Sequence, residues 1–128
     1  RLPGNDRAMA NILIVEDDES VRSFTARALA AAGHSVETAE DGEDGLERIA
    51  GRSGGYDLVL SDIRMPVMDG IEMAKKAAGA YPGLKILLMT GYAEQRERAA
   101  ELSAIVVDVV QKPFTLAQIR QGVARAIA

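Results

Sequence analysis

Four groups of residues in this 128-residue chain have the types to do chemistry together, and each follows a short apolar run. Glu16, Asp17 and Asp18 follow residues 12–15, Asp62 follows 58–60, Thr90 follows 86–89, and Gln111 and Lys112 follow Val109 and Val110. Carboxylates crowded together repel one another unless a cation joins them. An oxygen-only set, in a chain with no Cys and one His, suits a hard ion. Mg²⁺ is the expected ion, since it prefers octahedral oxygen ligation, keeps several waters and commonly takes one or two carboxylates with a phosphate oxygen. Lys112 would then offer a point charge to a phosphoryl group and Thr90 a hydroxyl donor, leaving Asp62 as the carboxylate free to act as nucleophile. The set reads as an aspartyl-phosphate site if one fold brings these separated residues to one edge.

The elements that must do so are legible as alternation. Strands are expected at residues 11–15, 35–38, 57–61, 85–89 and 105–110, mostly β-branched or Leu-rich and bounded by polar turns. Strands one, three, four and five are apolar on both faces, as in parallel strands covered by helices on each side, whereas strand two alternates and is placed nearer an edge. Helices are expected at 19–32, 43–50, 71–80, 94–102 and 115–127. In the first, Val21, Phe24, Ala28 and Ala32 make a helical stripe with Gly33 as the residue past its end; in the last, Leu116, Ile119, Val123 and Ile127 do so. Five strands alternating with five helices give a doubly wound α/β fold with right-handed crossovers. In such open parallel sheets ligands bind outside the carboxyl ends of the strands, where all four groups lie.

Composition narrows the function. Apolar residues make up 48% and charged residues 27%, so one packed domain is expected, and no apolar run approaches the roughly 20 residues needed to cross a bilayer. The absence of Cys excludes disulfides and thiolate chemistry and suits a reducing cytoplasm. A net charge of -4, 4% aromatic residues and no Trp argue against direct nucleic-acid binding. Residues 1–8 (RLPGNDRA) lack an apolar core and precede Met9; they read as an appended remnant rather than a signal peptide, leaving 9–128 as the domain.

The motifs ILIVEDDES after Asn11, DLVLSDIRMPVMDG from Asp57, LLMTGYA from Leu87 and VVQKPF from Val109 together resemble the bacterial response-regulator receiver domain, in the same order. The resemblance runs from Ala10 to Ala128. It implies a flavodoxin-like, CheY-like sheet of order 2-1-3-4-5, with Asp62 as phosphoacceptor and Thr90 and Lys112 as the phosphoryl-binding pair. Mg²⁺ would be held by Asp17, Asp62 and the backbone carbonyl of Arg64, with Glu16 acting mainly through water, and the Lys112 to Pro113 peptide would be cis. Such a domain is a signalling module rather than an enzyme. Its phosphoryl donor would be a phosphohistidine on a histidine kinase or histidine phosphotransferase, with catalysis mostly by positioning and charge neutralisation.

Several residues carry plainer readings. Asp18 and Asp69 are expected as helix N-caps rather than ligands. Asp62 alone would be a turn-forming Asp, Thr90 a strand-end hydroxyl and Lys112 a solvated lysine; only their convergence reverses this. Glu40, Asp41, Glu43 and Asp44 lack the spacing of a calcium loop. His34 is expected as an exposed turn residue, and Met65, Met68, Met73 and Met89 as packing and loop residues.

The segments GYAEQRERA from Gly91 and DVVQKPFTLAQIR from Asp108 are most similar to the CpdR group of single-domain cell-cycle regulators. That likeness implies control of ClpXP proteolysis through ClpX and a CckA/ChpT-like donor. If the chain ends naturally at Ala128, with no linker or second domain after the last helix, output through a protein contact is expected, with Arg96, Arg98 and Gln118 on the signalling face. The family's usual aromatic three residues before the lysine is replaced here by Val109; Tyr92 is the substitute expected to change burial as Thr90 closes on the phosphoryl group. Three rivals remain: an aspartate-nucleophile phosphatase, whose Asp-x-Asp pattern is absent; a phosphorylation-independent interaction module; and a receiver cut from a longer regulator.

Overall fold

The computed structural model describes residues 10–91 and 93–128. Five strands, β1 (Asn11–Val15), β2 (Ser35–Ala39), β3 (Leu58–Asp62), β4 (Ile86–Thr90) and β5 (Asp108–Gln111), form one parallel sheet of order β2-β1-β3-β4-β5. Between and after them run α1 (Glu19–Ala31), α2 (Gly42–Gly51), α3 (Gly70–Ala80), α4 (Ala93–Ala100) and α5 (Leu116–Ile127). This is the doubly wound α/β architecture that the alternation predicts.

The continuous apolar runs of β1, β3 and β4 are covered on both sides. Leu13, Val15, Val59, Ile86 and Leu88 face one core, with Ile49 of α2 and Met73 of α3; Ile12, Ile14, Leu58, Leu60 and Leu87 face the other, with Leu29 of α1 and Ile119 of α5. Each fully buried Leu or Ile contributes about 1.5–3 kcal/mol of burial free energy, which offsets the entropy of ordering the chain. β2 is half-buried, as its alternation predicts for an edge.

Three expectations need correction. The fifth strand begins at Asp108 rather than at residue 105, and its side chains are only half-buried because it is the other edge of the sheet. Ile105 and Val106 instead donate their amides to the Leu102 carbonyl at 2.8 and 2.9 Å, so the apolar run 105–107 starts as a turn after α4, which ends at Ala100. The buried face of α1 is Thr25, Ala28 and Leu29, not the Val21–Phe24 line; Thr25 is accommodated because its hydroxyl donates to the Val21 carbonyl at 2.7 Å. In α5 the buried residues are Ile119, Gly122, Val123 and Ala126, while Leu116 is 40% exposed.

Helix ends follow local chemistry. Asp18, Asp41, Asp69 and Thr115 are N-caps, the last closing a reciprocal box with Gln118. α1 closes with Gly33 at φ 101°, its amide donating to Ala30 (3.0 Å) while that of His34 donates to Leu29 (3.2 Å); this paired pattern needs the left-handed residue that glycine tolerates. The turn leaves His34 half-buried rather than exposed. Its Nδ1 is sealed without a hydrogen-bond partner, and burial pushes the imidazole below its usual range.

Candidate functional site

Parallel strands end at one edge of the sheet, and the register fixes which side chains meet there. Val15 pairs with Ser61 and Asp62 with Met89, so Glu16, Asp62 and Thr90 stand at the ends of three adjacent strands. The Glu16 amide donates to the Ala39 carbonyl at 3.1 Å, and the Arg22 Nη1 donates to the Glu16 carbonyl at 2.9 Å, pinning the turn that presents Glu16 and Asp17. From β5 the Lys112 amide donates to the Thr90 carbonyl at 2.7 Å, which sets the lysine at the same edge; the following Lys112–Pro113 peptide is cis.

Carboxylate oxygens of Glu16, Asp17 and Asp62 all lie within 4.8 Å of one another. Lys112 Nζ donates to Glu16 Oε1 at 2.9 Å and to Asp62 Oδ2 at 3.2 Å. One ammonium thus serves two buried carboxylates, whose side chains are 1% and 9% exposed, while Asp17 stands exposed beside them. The other oxygen of Glu16, Oε2, accepts the Asp18 amide at 3.2 Å, so both oxygens have protein partners and one of them holds Lys112 in place.

The electrostatics follow from burial and crowding. Burial pushes Glu16 above the usual carboxylate range, and the Lys112 hydrogen bond opposes this only in part. Asp17 is also raised, by burial first and then by its hydrogen bond with Glu16 and the charge of that group. Burial works to lower Lys112, but the Glu16 hydrogen bond and the Asp62 charge outweigh it and hold the ammonium above its usual range. Three carboxylates and one ammonium leave an unbalanced negative charge that a divalent cation would neutralise, and the all-oxygen donor set fits a hard ion such as Mg²⁺.

The cluster opens into a cleft of about 680 Å³ whose walls include Glu16, Asp17, Asp62, Arg64 and Lys112. Thr90 ends β4 next to Asp62 and is fully buried. Val109 is half-buried against the core on the α2–α3 side of the sheet, away from the cleft walls. Tyr92 lies outside the described residues, as do residues 1–8 and the side chain of Arg96. Asp18 caps α1 through its carboxylate, as expected, and also lines the cleft.

Sequence reasoning missed an apolar rim. Phe24 of α1 and Phe114 after the cis bond stack with centroids 6.4 Å apart at 30°, and with Val21 and Pro113 they border the acidic centre. Phe24 is 39% exposed. No local pattern marked it: Phe24 lies one turn before Ala28 on the apolar stripe, and the packing of α1 on Thr25, Ala28 and Leu29 leaves it on a flank of the helix.

A family model described as the response regulator receiver domain matches residues 12–124. The chain is 39% identical over 108 residues to the response regulator MprA of Mycobacterium tuberculosis, covering 84% of this chain and 46% of that protein. It therefore spans about half the length of the curated relatives it matches. Among solved structures it is similar to the receiver domain of the hybrid histidine kinase CckA, with 32% identity, a TM-score of 0.78, and coverage of 92% of this chain and 99% of that one. It is also similar to the response regulator TrrA of Thermotoga maritima in complex with Mg²⁺ and beryllium fluoride, with 31% identity, a TM-score of 0.82, and the same coverage.

Proposed function

The chain belongs to the response-regulator receiver family, and on that premise we propose that Asp62 is its phosphoacceptor in a two-component phosphorelay. The observation that carries this reading is the Asp62 carboxylate lining the cleft, hydrogen-bonded to Lys112 at 3.2 Å and flanked by Glu16 and Asp17. An Asp62 oxygen attacks the phosphorus of a phosphohistidine; the O–P bond forms as the N–P bond breaks, and the leaving imidazole nitrogen takes a proton from solvent. Water later attacks the acyl phosphate, releasing inorganic phosphate and restoring the carboxylate.

Asp17, Asp62 and the backbone carbonyl of Arg64 would hold Mg²⁺, with Glu16 acting mainly through water and through Lys112. When bound, the ion supplies charge neutralisation for the incoming phosphoryl oxygens. Lys112 pairs with the same oxygens as charge develops on them, and the Thr90 hydroxyl donates from the end of β4. Thr90, Tyr92 and Val109 form the switch in this reading. The apolar rim of Phe24 and Phe114 beside the charged centre suits a protein donor, a histidine kinase or histidine phosphotransferase of the CckA/ChpT kind, rather than a free metabolite. A cytoplasmic setting follows from such a donor.

The test is intact mass of the protein and its Asp62→Ala variant after incubation with a small acyl phosphate, with Mg²⁺ or with excess chelator. An added phosphoryl mass that needs both Asp62 and Mg²⁺ is expected. Its absence under every condition, and with a phosphohistidine donor protein, would overturn the reading in favour of a phosphorylation-independent module.

For output, the likeness of the segments from Gly91 and Asp108 to the CpdR group supports regulated proteolysis in the cell cycle through ClpX, with the unphosphorylated form active. Pull-down of purified ClpX by unmodified protein, lost on phosphorylation, is the expected result; no retention in either state would remove this output and favour the receiver of a longer regulator.

A further inference from the structure

Residues 63–69 connect the Asp62 strand end to α3, and they are held in an unusual shape. Gly70 donates its amide to the Ile63 carbonyl at 2.7 Å and stands so close to the Asp62 carbonyl that a Cβ there would approach it to 2.1 Å, so the base of the loop is shut. At its tip the Met68 amide donates to the Pro66 carbonyl at 2.8 Å, closing a three-residue γ-turn around Val67 at φ 70°. A β-branched residue rarely takes that conformation, and Val67 is 78% exposed, so burial does not compensate for the strain.

The far end of the loop is tied to a helix distant in sequence. Asp69 accepts the Glu72 amide at 2.8 Å as N-cap of α3, and its other oxygen accepts Arg98 Nη2 from α4 at 3.0 Å. Burial alone would raise Asp69, yet the Glu72 amide and the Arg98 guanidinium hold its carboxyl below the usual range. Among residues 97–100 of α4, Ala99 is buried in the core and Arg98 is the side chain that reaches the loop.

These links close a ring. From Asp62 the chain runs through the strained loop to Asp69, across the ion pair to Arg98, along α4 and back to Thr90, and β3–β4 pairing of Asp62 with Met89 completes it. Asp62 and Thr90, the two residues assigned to the phosphoryl group, thus lie on one mechanical circuit that the Asp69–Arg98 ion pair closes on the side of α4.

We propose that the Arg98–Asp69 ion pair couples occupancy of the Asp62 site to the seating of α4, so that a partner bound at α4 and a phosphoryl group on Asp62 alter each other's stability. Arg98 is in this sense a positioning residue that acts through Asp69 and the loop. The proposal rests on Asp62 as phosphoacceptor and adds the route by which its state reaches a protein-binding helix. Reciprocity is required: whatever phosphorylation does to α4, holding α4 does to the phosphorylated site.

The test is amide hydrogen exchange over residues 93–100 in the full chain with Mg²⁺, with and without beryllium fluoride as the phosphoryl probe. Wild type is compared with Arg98→Ala, Arg98→Lys, Asp69→Asn and the Ala/Asn double variant. Asn retains the N-cap while removing the charge. Adding the probe is expected to change α4 exchange in wild type. That response shrinks by about two- to five-fold in Arg98→Ala and Asp69→Asn, the scale of an exposed ion pair. The double variant loses no more than either single one, and Arg98→Lys recovers most of the response.

An unchanged response in both single variants, or additive losses in the double, overturns the coupling. Intact mass with a small acyl phosphate on the same samples separates the two readings. Phosphoryl uptake with an α4 response indifferent to these variants sinks the coupling alone, whereas no uptake by wild type from either the acyl phosphate or a phosphohistidine donor sinks the phosphoacceptor reading and the coupling with it. Should Asp69→Asn unfold, the comparison of Arg98→Ala with Arg98→Lys decides, since Arg98 is half exposed and removes no core contact.

Discussion

Replacing Asp17 by Asn isolates the electrostatic cost of the acidic centre. Lys112 donates to Glu16 and Asp62, so Asp17 is the surplus charge in a set whose oxygens lie within 4.8 Å of one another. At that separation two unit charges repel by about 0.9 kcal/mol in a water-like dielectric and about 3.5 kcal/mol at an effective dielectric near 20. Asp17 is exposed and Lys112 offsets part of the repulsion, so the lower end applies, and Asn is expected to stabilise the metal-free protein by about 1 kcal/mol at pH 7. For a domain of this size that is a Tm rise of about 3–5 °C. The folded-state pKa of Asp17 lies above its usual 3.8, so the folded state binds this proton more readily than the unfolded one. Its penalty is therefore absent below pH 3.8 and grows as pH rises through the folded value; the advantage of Asn vanishes in acid and shrinks with salt. Calorimetric melts in chelator at pH 7 and pH 3.5 read this directly. Mg²⁺ then inverts the order, since at about one hundred times its Kd an ion adds about 2.7 kcal/mol to wild type and little to the variant. A variant that melts lower than wild type in chelator at pH 7, or that gains as much from Mg²⁺, would refute the reasoning.

Lys112→Met strands the buried carboxylates of Glu16 and Asp62, and a loss of about 3 kcal/mol at pH 7 is expected by urea unfolding, narrowing in acid as the raised Glu16 carboxyl takes up its proton. The folded pKa of Lys112 is raised, so its own contribution is present below pH 10.5 and declines as pH rises through the folded value; wild type but not the variant should show that alkaline loss. Val67→Gly exchanges γ-turn strain of about 1–3 kcal/mol for about 1 kcal/mol of backbone entropy and is expected to raise stability by about 1 kcal/mol; a fall in the denaturant midpoint would show that Val67 is unstrained. His34 has a folded pKa below 6.5, so the unfolded chain protonates first and stability declines as pH falls from 6.5 toward the folded value. Unfolding free energies at pH 7.5 and 5.5 should therefore converge more closely in His34→Asn than in wild type.

The sheet was legible because its central strands are buried on both faces. Ile12 to Val15, Leu58 to Leu60 and Ile86 to Met89 have no polar position to confuse the reading, and a carboxylate or hydroxyl marks the end of each run. Edges were less legible: Ile105 to Val107 look like strand by composition, but the Leu102 carbonyl captures two of their amides and bends the segment first. The rotation of α1 was hidden because a Thr that satisfies its hydroxyl within its own helix can be buried while a Phe faces out. Convergence of Glu16, Asp17, Asp62 and Lys112 follows from parallel topology alone, since every strand delivers its last residue to the same edge. The stacking of Phe24 on Phe114 and the reach of Arg98 to Asp69 depend on side-chain geometry between elements that no local pattern encodes.

Several departures from local consistency stand at the carboxyl edge of the sheet, besides His34 and the positive-φ Ser53 at the other edge. Elsewhere α1, α2, α3 and α5 carry N-caps, central strands are apolar and nearly every buried polar side chain among the described residues has a partner. At the carboxyl edge of the sheet two acids are buried around one lysine, a third acid stands surplus beside them, and a Val sits at positive φ in the loop that follows Asp62. Each lowers the stability of the metal-free chain, and a sequence selected for stability alone would replace them with Asn and Gly. On the proposed function, a divalent cation and a phosphoryl group are the additions that would turn the same features into net binding. On that reading, a cation held there would neutralise the surplus acid, phosphoryl oxygens would pair with Lys112, and the loop of residues 63–69 would carry the change toward Asp69. Stabilisation by Mg²⁺ in wild type and its loss in Asp17→Asn therefore test the central premise, that this edge is built for occupants which the bare chain resists being without.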